Sequence, residues 1–272
     1  MPELPEVETI RLGLIPRILN QRLLGAHVRE SRLRWPVPQD LNEKVQQHTL
    51  QGLARRGKYL LFDLGDGGLI IHLGMSGSLQ LTPCEHPPGK HEHLDLLLEN
   101  GQCLRFCDPR RFGAVLWCLE PQHHPLLAHL GIEPLAPEFD GQVIYRLSRG
   151  RSVPIKIFIM NARLIVGIGN IYANESLFLA GIDPRLPAGK LSRKQSHALA
   201  HAIQETLHRA IAAGGSSLRD FVNEHGQPGY FQQSYAVYGR AGKPCRVCGQ
   251  PLCHITQGAR SSFYCSGCQK RR

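Results

Sequence analysis

Tyr59–Leu73, YLLFDLGDGGLIIHL, holds two short apolar runs, Tyr59–Leu64 and Leu69–Leu73, with the turn Gly65-Asp66-Gly67-Gly68 between them. Runs of this length flanking an Asp-Gly turn predict a β-hairpin. The same grammar recurs downstream: Leu94–Leu98 precedes Asn100-Gly101, and Cys103–Cys107 follows it. Several short strands at this spacing predict an antiparallel sandwich or barrel over the first ~130 residues. One helix precedes them, with apolar spacing over Val7–Ile18 and Pro16 interrupting it late. After Pro134 the texture changes. The stretch 135–154 is rich in Pro, Gly and polar residues and reads as a linker, and from Ile155 the pattern is helical. Leu191–Ala213 is the clearest helix, with apolar residues every three or four positions and a Gly214-Gly215 stop. The expected divisions are therefore 1–134, a linker 135–154, a helical domain 155–238, and a small final piece 239–272.

The 32 basic and 22 acidic side chains among 272 residues leave a formal charge of +10. That excess favours polyanionic partners, nucleic acid before membrane. With 42% hydrophobic and 20% charged residues, the composition argues against disorder and a disulfide-dense mini-protein. The best apolar stretch, GLIIHL at Gly68–Leu73, is far short of the ~20 residues a spanning helix needs. The start MPELPEVET is acidic and proline-rich, unlike an export signal. The expectation is a cytosolic or nucleoid protein that is not membrane-bound. In such a reducing compartment, nine cysteines point to metal binding rather than disulfides.

Cys245-x2-Cys248 and Cys265-x2-Cys268 are separated by sixteen residues. Each pair can place two thiolates on one tight turn, and two such turns make a tetrahedral zinc site. Four thiolates leave no open position, so the expected cofactor is one structural zinc ion. Cys253 breaks the spacing and reads as a bystander, while Cys84, Cys103, Cys107 and Cys118 should pack in or beside strands. The segment Gly239–Arg272 has seven basic residues and no acidic one, which suits a phosphate backbone. Arg260 stands where the tip of a zinc-loop hairpin would project.

Removal of Met1 from the Met-Pro start would leave Pro2 as a free secondary amine. An α-amine of pKa ~8 is roughly a quarter neutral at pH ~7.5, against ~0.1% for a lysine, so Pro2 is the more available nucleophile. Glu3 and Glu6 lie beside it as potential proton donor and electrostatic partner.

Pro2-Glu3-Leu4-Pro5-Glu6-Val7-Glu8-Thr9 resembles the start of the formamidopyrimidine-DNA glycosylase (Fpg/Nei) family. The resemblance continues through His72-Leu73-Gly74-Met75-Ser76-Gly77, Asp108-Pro109-Arg110-Arg111-Phe112-Gly113, Val166-Gly167-Ile168-Gly169-Asn170-Ile171-Tyr172, Pro228-Gly229-Tyr230-Phe231 and the cysteine pairs. It implies an α+β protein with three parts: an N-terminal antiparallel β-sandwich with flanking helices, a C-terminal helix–two-turns–helix domain, and a zinc-finger β-hairpin. It also implies a bifunctional glycosylase and abasic-site lyase. Such an enzyme removes 8-oxoguanine and formamidopyrimidines from double-stranded DNA, then nicks the strand by β,δ-elimination. By the same resemblance the protein acts as a monomer.

Residue by residue, the resemblance makes Pro2 the nucleophile at C1′ and Glu3 the proton donor. It gives Lys58 to β-elimination and Arg260 to δ-elimination. A base inside a duplex must be everted before attack, and Met75, Arg110 and Phe112 match the residues that fill the resulting hole. His91, Arg151, Asn170 and Lys156 match further DNA contacts. Read without the resemblance, Met75 and Phe112 look like core, Lys58 like a solvated residue ahead of a strand, and His91 and His93 like surface histidines. The sequence departs from the family at Arg219, where lysine is frequent, and at Asn161, where aspartate is usual; both bear on lesion ranking. Pro2-Glu3-Leu4-Pro5 favours the purine enzyme over endonuclease VIII, whose start resembles Pro-Glu-Gly-Pro. A zinc-ribbon DNA-binding module without catalysis would explain the charge and cysteines equally well, but gives the N-terminal run no role.

Overall fold

The computed structural model describes residues 1–216 and 230–271. Arg219 and the Pro228-Gly229 motif lie outside the described residues. The chain divides into two units, Met1–Ala128 with Ile211–Gln232 and His129–Ala210 with Gln233–Arg272.

In the first unit, helix α1 (Leu4–Ile18) precedes strand β1 (Leu23–Val28), the short helix α2 (Leu41–Val45) and seven further strands. These are β2 (Gly52–Arg56), β3 (Tyr59–Asp63), β4 (Gly68–His72), β5 (Ser78–Pro83), β6 (Glu92–Leu98), β7 (Gln102–Cys107) and β8 (Ala114–Cys118), followed by helix α3 (Pro125–Ala128). They form two four-stranded sheets, in the orders β2-β3-β4-β8 and β1-β6-β7-β5, with every pairing antiparallel. Leu60, Phe62 and Ile71 of the first sheet share one buried cluster with Leu94, Leu104 and Phe106 of the second and with Val7, Ile10 and Leu14 of α1. Burying both inner faces in a common core makes this a sandwich. The expected strands are all present, and Cys103, Cys107 and Cys118 lie on them with Cys84 just after β5.

Helix α1 begins three residues earlier than the apolar spacing predicts. Pro5 is tolerated in the first turn, where its missing N–H has no helical partner to lose. Glu3 and Glu6 form a reciprocal capping box, with Glu3 N–H donating to Glu6 Oε2 at 2.8 Å. Pro16 sits in the last turn, and the helix ends two residues after it.

The second unit carries helices α4 (Gly141–Ser148), α5 (Ile155–Ile159), α6 (Asn170–Leu179) and most of α7 (Arg193–Ala212). Helix α4 lies within 135–154; its N-cap Asp140 accepts from Val143 N–H at 2.9 Å. Gly214, at φ 74°, ends α7 in the left-handed conformation that glycine adopts without steric cost. A two-stranded hairpin, β9 (Cys253–Gln257) and β10 (Arg260–Tyr264), completes the unit. No helix among the described residues is long and apolar enough to cross a membrane.

Candidate functional site

In the first unit, the sheet β2-β3-β4-β8 gathers candidate residues at one end. Tyr59, the first residue of β3, pairs with His72, the last of β4, and His72 pairs with Ala114, the first of β8. The turn carrying Lys58, the turn carrying Met75 and the loop carrying Arg110 and Phe112 therefore leave the sheet together. Gly74 shows how closely two of them approach. Its φ is 62°, and a Cβ there would lie 2.5 Å from Gly113 N and Phe112 C.

Met75 is 41% and Phe112 49% exposed, so the reading of both as core from hydrophobicity alone is corrected. They stand on loops beyond the strand ends, where neither sheet covers them. Arg110 is exposed beside them, and Lys58 is half-buried.

The N-terminus is buried rather than solvated. Pro2 is buried and Glu3 is 3% exposed. The Glu6 carboxylate accepts from Glu3 N–H and, at 2.8 Å, from Ser216 N–H, which orients the start of α1. Glu8 ties α1 to the Lys58 turn. Its Oε2 accepts from Arg55 Nε at 2.8 Å, and Arg55 also donates to Gly57 O at 3.0 Å. Burial opposes ionisation of Glu8, but hydrogen bonds from Arg11 and Arg55 outweigh it and hold the carboxyl below its ordinary range.

His72 is the titratable group at the centre of this sheet end. Its Nδ1 accepts from Gly74 N–H at 3.0 Å, and its ring lies 4.7 Å from that of Tyr59. Burial, then the charges of Lys58 and Arg34, push its pKa down to about 4. The folded state therefore holds His72 neutral, whereas the unfolded chain protonates it near the ordinary 6.5. Its contribution to stability is present above about pH 6.5 and is lost as pH falls toward 4. Thermal unfolding followed against pH should show the midpoint falling through that window. His72→Gln, which keeps an acceptor for Gly74 N–H and cannot titrate, should flatten that part of the profile.

His91 is half-buried, as a residue at the edge of a contact surface would be. The reading of His93 as a surface histidine is corrected. It is 6% exposed: it sits where β6 shifts register against β7, and its Nε2 donates to Asp108 O at 2.8 Å.

In the second unit, Arg260 opens β10 directly after the turn Gly258-Ala259, both at positive φ. The hairpin tip expected from the spacing is therefore present, and Arg260 is exposed on it. Arg151 and Arg260 line one cavity of about 350 Å³ with Ile157, Phe158, Asn161 and Gly258. Two guanidinium groups around one hollow suit an anionic occupant.

Lys156 does not reach solvent. It is 0% exposed, and its Nζ donates at 2.7 Å to both Ser261 O and Ser262 Oγ. Its placement makes it a strut beneath the hairpin that carries Arg260, a correction to its reading as a direct DNA contact. Asn170 begins α6 and so stands at the positive end of that helix's dipole. Its Oδ1 is buried and has no partner among the described residues. One turn on, Asn174 donates to Asn170 O at 2.6 Å and accepts from Phe263 N–H of β10 at 2.7 Å. The helix start and the hairpin are thus held by a shared side chain.

The four paired cysteines converge. The Sγ atoms of Cys245, Cys248, Cys265 and Cys268 all lie within 4.8 Å of one another, with Cys245–Cys268 at 3.9 Å and Cys248–Cys265 at 3.3 Å. Tetrahedral Zn–S bonds of about 2.3 Å demand S···S separations of about 3.8 Å, so this set fits a metal ion. Cys253 pairs with Tyr264 across the hairpin and stands outside the cluster.

Three supporting residues were assigned no role from the sequence. Glu175, 6% exposed, accepts from Ala236, Val237 and Tyr238 N–H at 2.8–3.0 Å and anchors the strand of chain entering the finger. Arg34 acts on His72 from a distant segment. Asp108 entered only as part of the quoted Asp108–Gly113 motif, with no role of its own; it is fully buried.

Known proteins align with both units. The formamidopyrimidine-DNA glycosylase N-terminal domain profile matches residues 1–115, and the formamidopyrimidine-DNA glycosylase H2TH domain profile matches 130–222. A formamidopyrimidine-DNA glycosylase of Stutzerimonas stutzeri (strain A1501) is 55% identical over 270 residues, covering 99% of this chain and all of the relative. The structure of a Lactococcus lactis Fpg variant in complex with Fapy-dG-containing DNA superposes with a TM-score of 0.91 at 35% identity, over 99% of this chain and 100% of that one. The MutM (Fpg) protein of Thermus thermophilus gives 0.87 at 37%, over 98% of each. Similarity that runs from the buried N-terminus through the Lys58, Met75 and Phe112 turns to the helix start at Asn170 and the paired cysteines makes this chain a member of the formamidopyrimidine-DNA glycosylase family.

Proposed function

We propose that the protein excises oxidised purines from double-stranded DNA and then cleaves the strand. The observation that best supports this is the gathering of Lys58, Met75, Arg110 and Phe112 at one end of a sheet, with both apolar side chains held in solvent. An exposed methionine and phenylalanine beside an exposed arginine fit a duplex from which one nucleotide has been everted. The apolar chains fill and wedge the hole, and the guanidinium offers donors to the orphaned cytosine.

With Met1 removed, the Pro2 nitrogen attacks C1′ of the everted nucleotide and the C1′–N bond to the damaged base breaks, the departing base taking up the proton that the Pro2 nitrogen loses. The C1′–O4′ bond then breaks as Glu3 protonates O4′, which leaves an iminium joining Pro2 to the opened sugar. Its positive nitrogen acts as an electron sink, so loss of a C2′ proton expels the 3′ phosphate. A second elimination expels the 5′ phosphate. Both leaving groups are anionic, and Lys58 and Arg260 stabilise them in turn. Cys245, Cys248, Cys265 and Cys268 hold one zinc ion, whose contribution is to fix the shape of the finger carrying Arg260. His91, Arg151 and the Asn170 helix start grip the phosphate backbone, which positions the duplex without reading its sequence.

Borohydride trapping on a duplex carrying 8-oxoguanine opposite cytosine tests the reading. The expected result is a covalent adduct that peptide mapping by mass spectrometry assigns to Pro2. No adduct from protein whose mass shows Met1 absent would overturn it. A duplex carrying an oxidised pyrimidine then separates a pyrimidine glycosylase from a DNA-binding protein without catalysis.

A further inference from the structure

Asp108 is 0% exposed, and the chemistry proposed above gives it no part. Its carboxylate nevertheless bonds to both loops that carry the hole-filling residues. Oδ1 accepts from Ser76 Oγ at 3.0 Å and from Arg110 N–H at 3.3 Å, and Oδ2 accepts from Gly113 N–H at 2.7 Å. Ser76 follows Met75, while Arg110 and Gly113 bracket Phe112. The Asp108 backbone extends the same hub. Its N–H donates to His91 O at 2.9 Å, and its carbonyl accepts from His93 Nε2 at 2.8 Å and from Arg111 N–H at 3.1 Å.

We propose that Asp108 is a positioning residue that sets Met75, Arg110 and Phe112 in one fixed arrangement, so that the two loops enter the duplex as a single wedge. The inference rests on the reading of those three side chains as hole-filling residues. An exposed loop side chain would otherwise sample many rotamers, and ordering it during eversion carries an entropic cost. A buried carboxylate bonded to the backbone of one loop and to a serine hydroxyl of the other meets that cost on folding instead. Its acceptor-only chemistry suits three donors converging from two directions. Asparagine cannot replace it. In one amide orientation the NH2 faces Gly113 N–H, and in the other it faces Arg110 N–H, so the Arg110–Gly113 loop loses one of its two ties in either case.

The test compares two single-turnover rates in wild type, Asp108→Asn and Ser76→Ala. One is 8-oxoguanine excision from a duplex with cytosine opposite. The other is borohydride trapping on a single-stranded oligonucleotide bearing an abasic site, which has neither a base to evert nor a hole to fill. The ratio of the first to the second should fall about tenfold in Asp108→Asn, as one unpaired buried donor implies. In Ser76→Ala, which removes only the Met75-side tie and leaves a small residue, it should fall about threefold. An unchanged ratio in both variants, or loss of both rates in equal proportion, would overturn the positioning role. If wild type itself neither excises nor traps, the proposed function fails and not this inference alone.

Discussion

Replacing Pro2 by glycine should slow strand cleavage at an abasic site by about a hundredfold, with duplex affinity changed less than about twofold. Two physical differences produce the loss. A Schiff base on a secondary amine carries no N–H, so it stays cationic and remains an electron sink at every pH. The glycine adduct is a protonated imine that loses its charge when it deprotonates. Proline also holds its nitrogen on a rigid ring, in a buried position where the Glu3–Glu6 capping box fixes the next residue. Glycine releases that constraint, and misplacement of a reacting atom by about 1 Å can cost roughly a hundredfold. Affinity is expected to persist because Pro2 contributes no side-chain charge to phosphate binding. Burst kinetics and a gel-shift titration on the same preparation separate the two quantities. Equal loss of cleavage and affinity would count against a nucleophilic role. A preparation that retains Met1 should be inactive at any pH, because an amide nitrogen has no nucleophilic lone pair to offer.

Removing metal with a strong chelator, or replacing Cys265 by serine, should lower duplex affinity at least a hundredfold while the β-sandwich survives. The hairpin β9–β10 has five residues per strand and a small buried cluster of Val237, Cys245, Leu252 and Cys265. A two-stranded hairpin is at best marginal in water, whereas a structural zinc ion contributes on the order of 10–16 kcal/mol at neutral pH. Without the ion, the ties at the edges of the finger, from Lys156, Asn174, Glu175 and Gln269, leave its cysteine-bearing turns with nothing to close them. The basic side chains it carries then no longer present one surface. The sandwich has its own core of Val7, Leu60, Phe62, Leu94 and Phe106, none of it drawn from the finger. Circular dichroism should therefore retain its β-sheet signal while gel-shift affinity collapses. Unchanged affinity in fully zinc-free protein would contradict this.

Much of the architecture was legible because its causes are local. Alternating apolar runs around Asp-Gly and Asn-Gly turns specify hairpins by backbone geometry alone. A double glycine stops a helix whatever surrounds it. The cysteine pairs carry their ligand geometry in their spacing, and that spacing also placed Arg260 on the hairpin tip. The family resemblance, carried by motifs spread along the chain, pointed to the sandwich and the helical domain in their observed order.

What only the tertiary structure decided is which side chains are covered. Met75 and Phe112 are as apolar as any core residue, yet they stand in solvent because their loops run past the ends of both sheets. Lys156 is as charged as any surface lysine, yet it lies wholly beneath the hairpin, where the acceptors of Ser261 and Ser262 meet its ammonium. His93 is covered because it sits at the register shift of β6, where its ring meets the Asp108 carbonyl. Asp108 has no role of its own in the sequence until Ser76, thirty-two positions away, is folded against it. The sequence by itself determined the elements, the cysteine ligand set and the family, since each is written in short-range spacing or in motif order. Burial depends on contacts between residues distant in the chain, so only the folded chain could assign these side chains to surface, strut and hub.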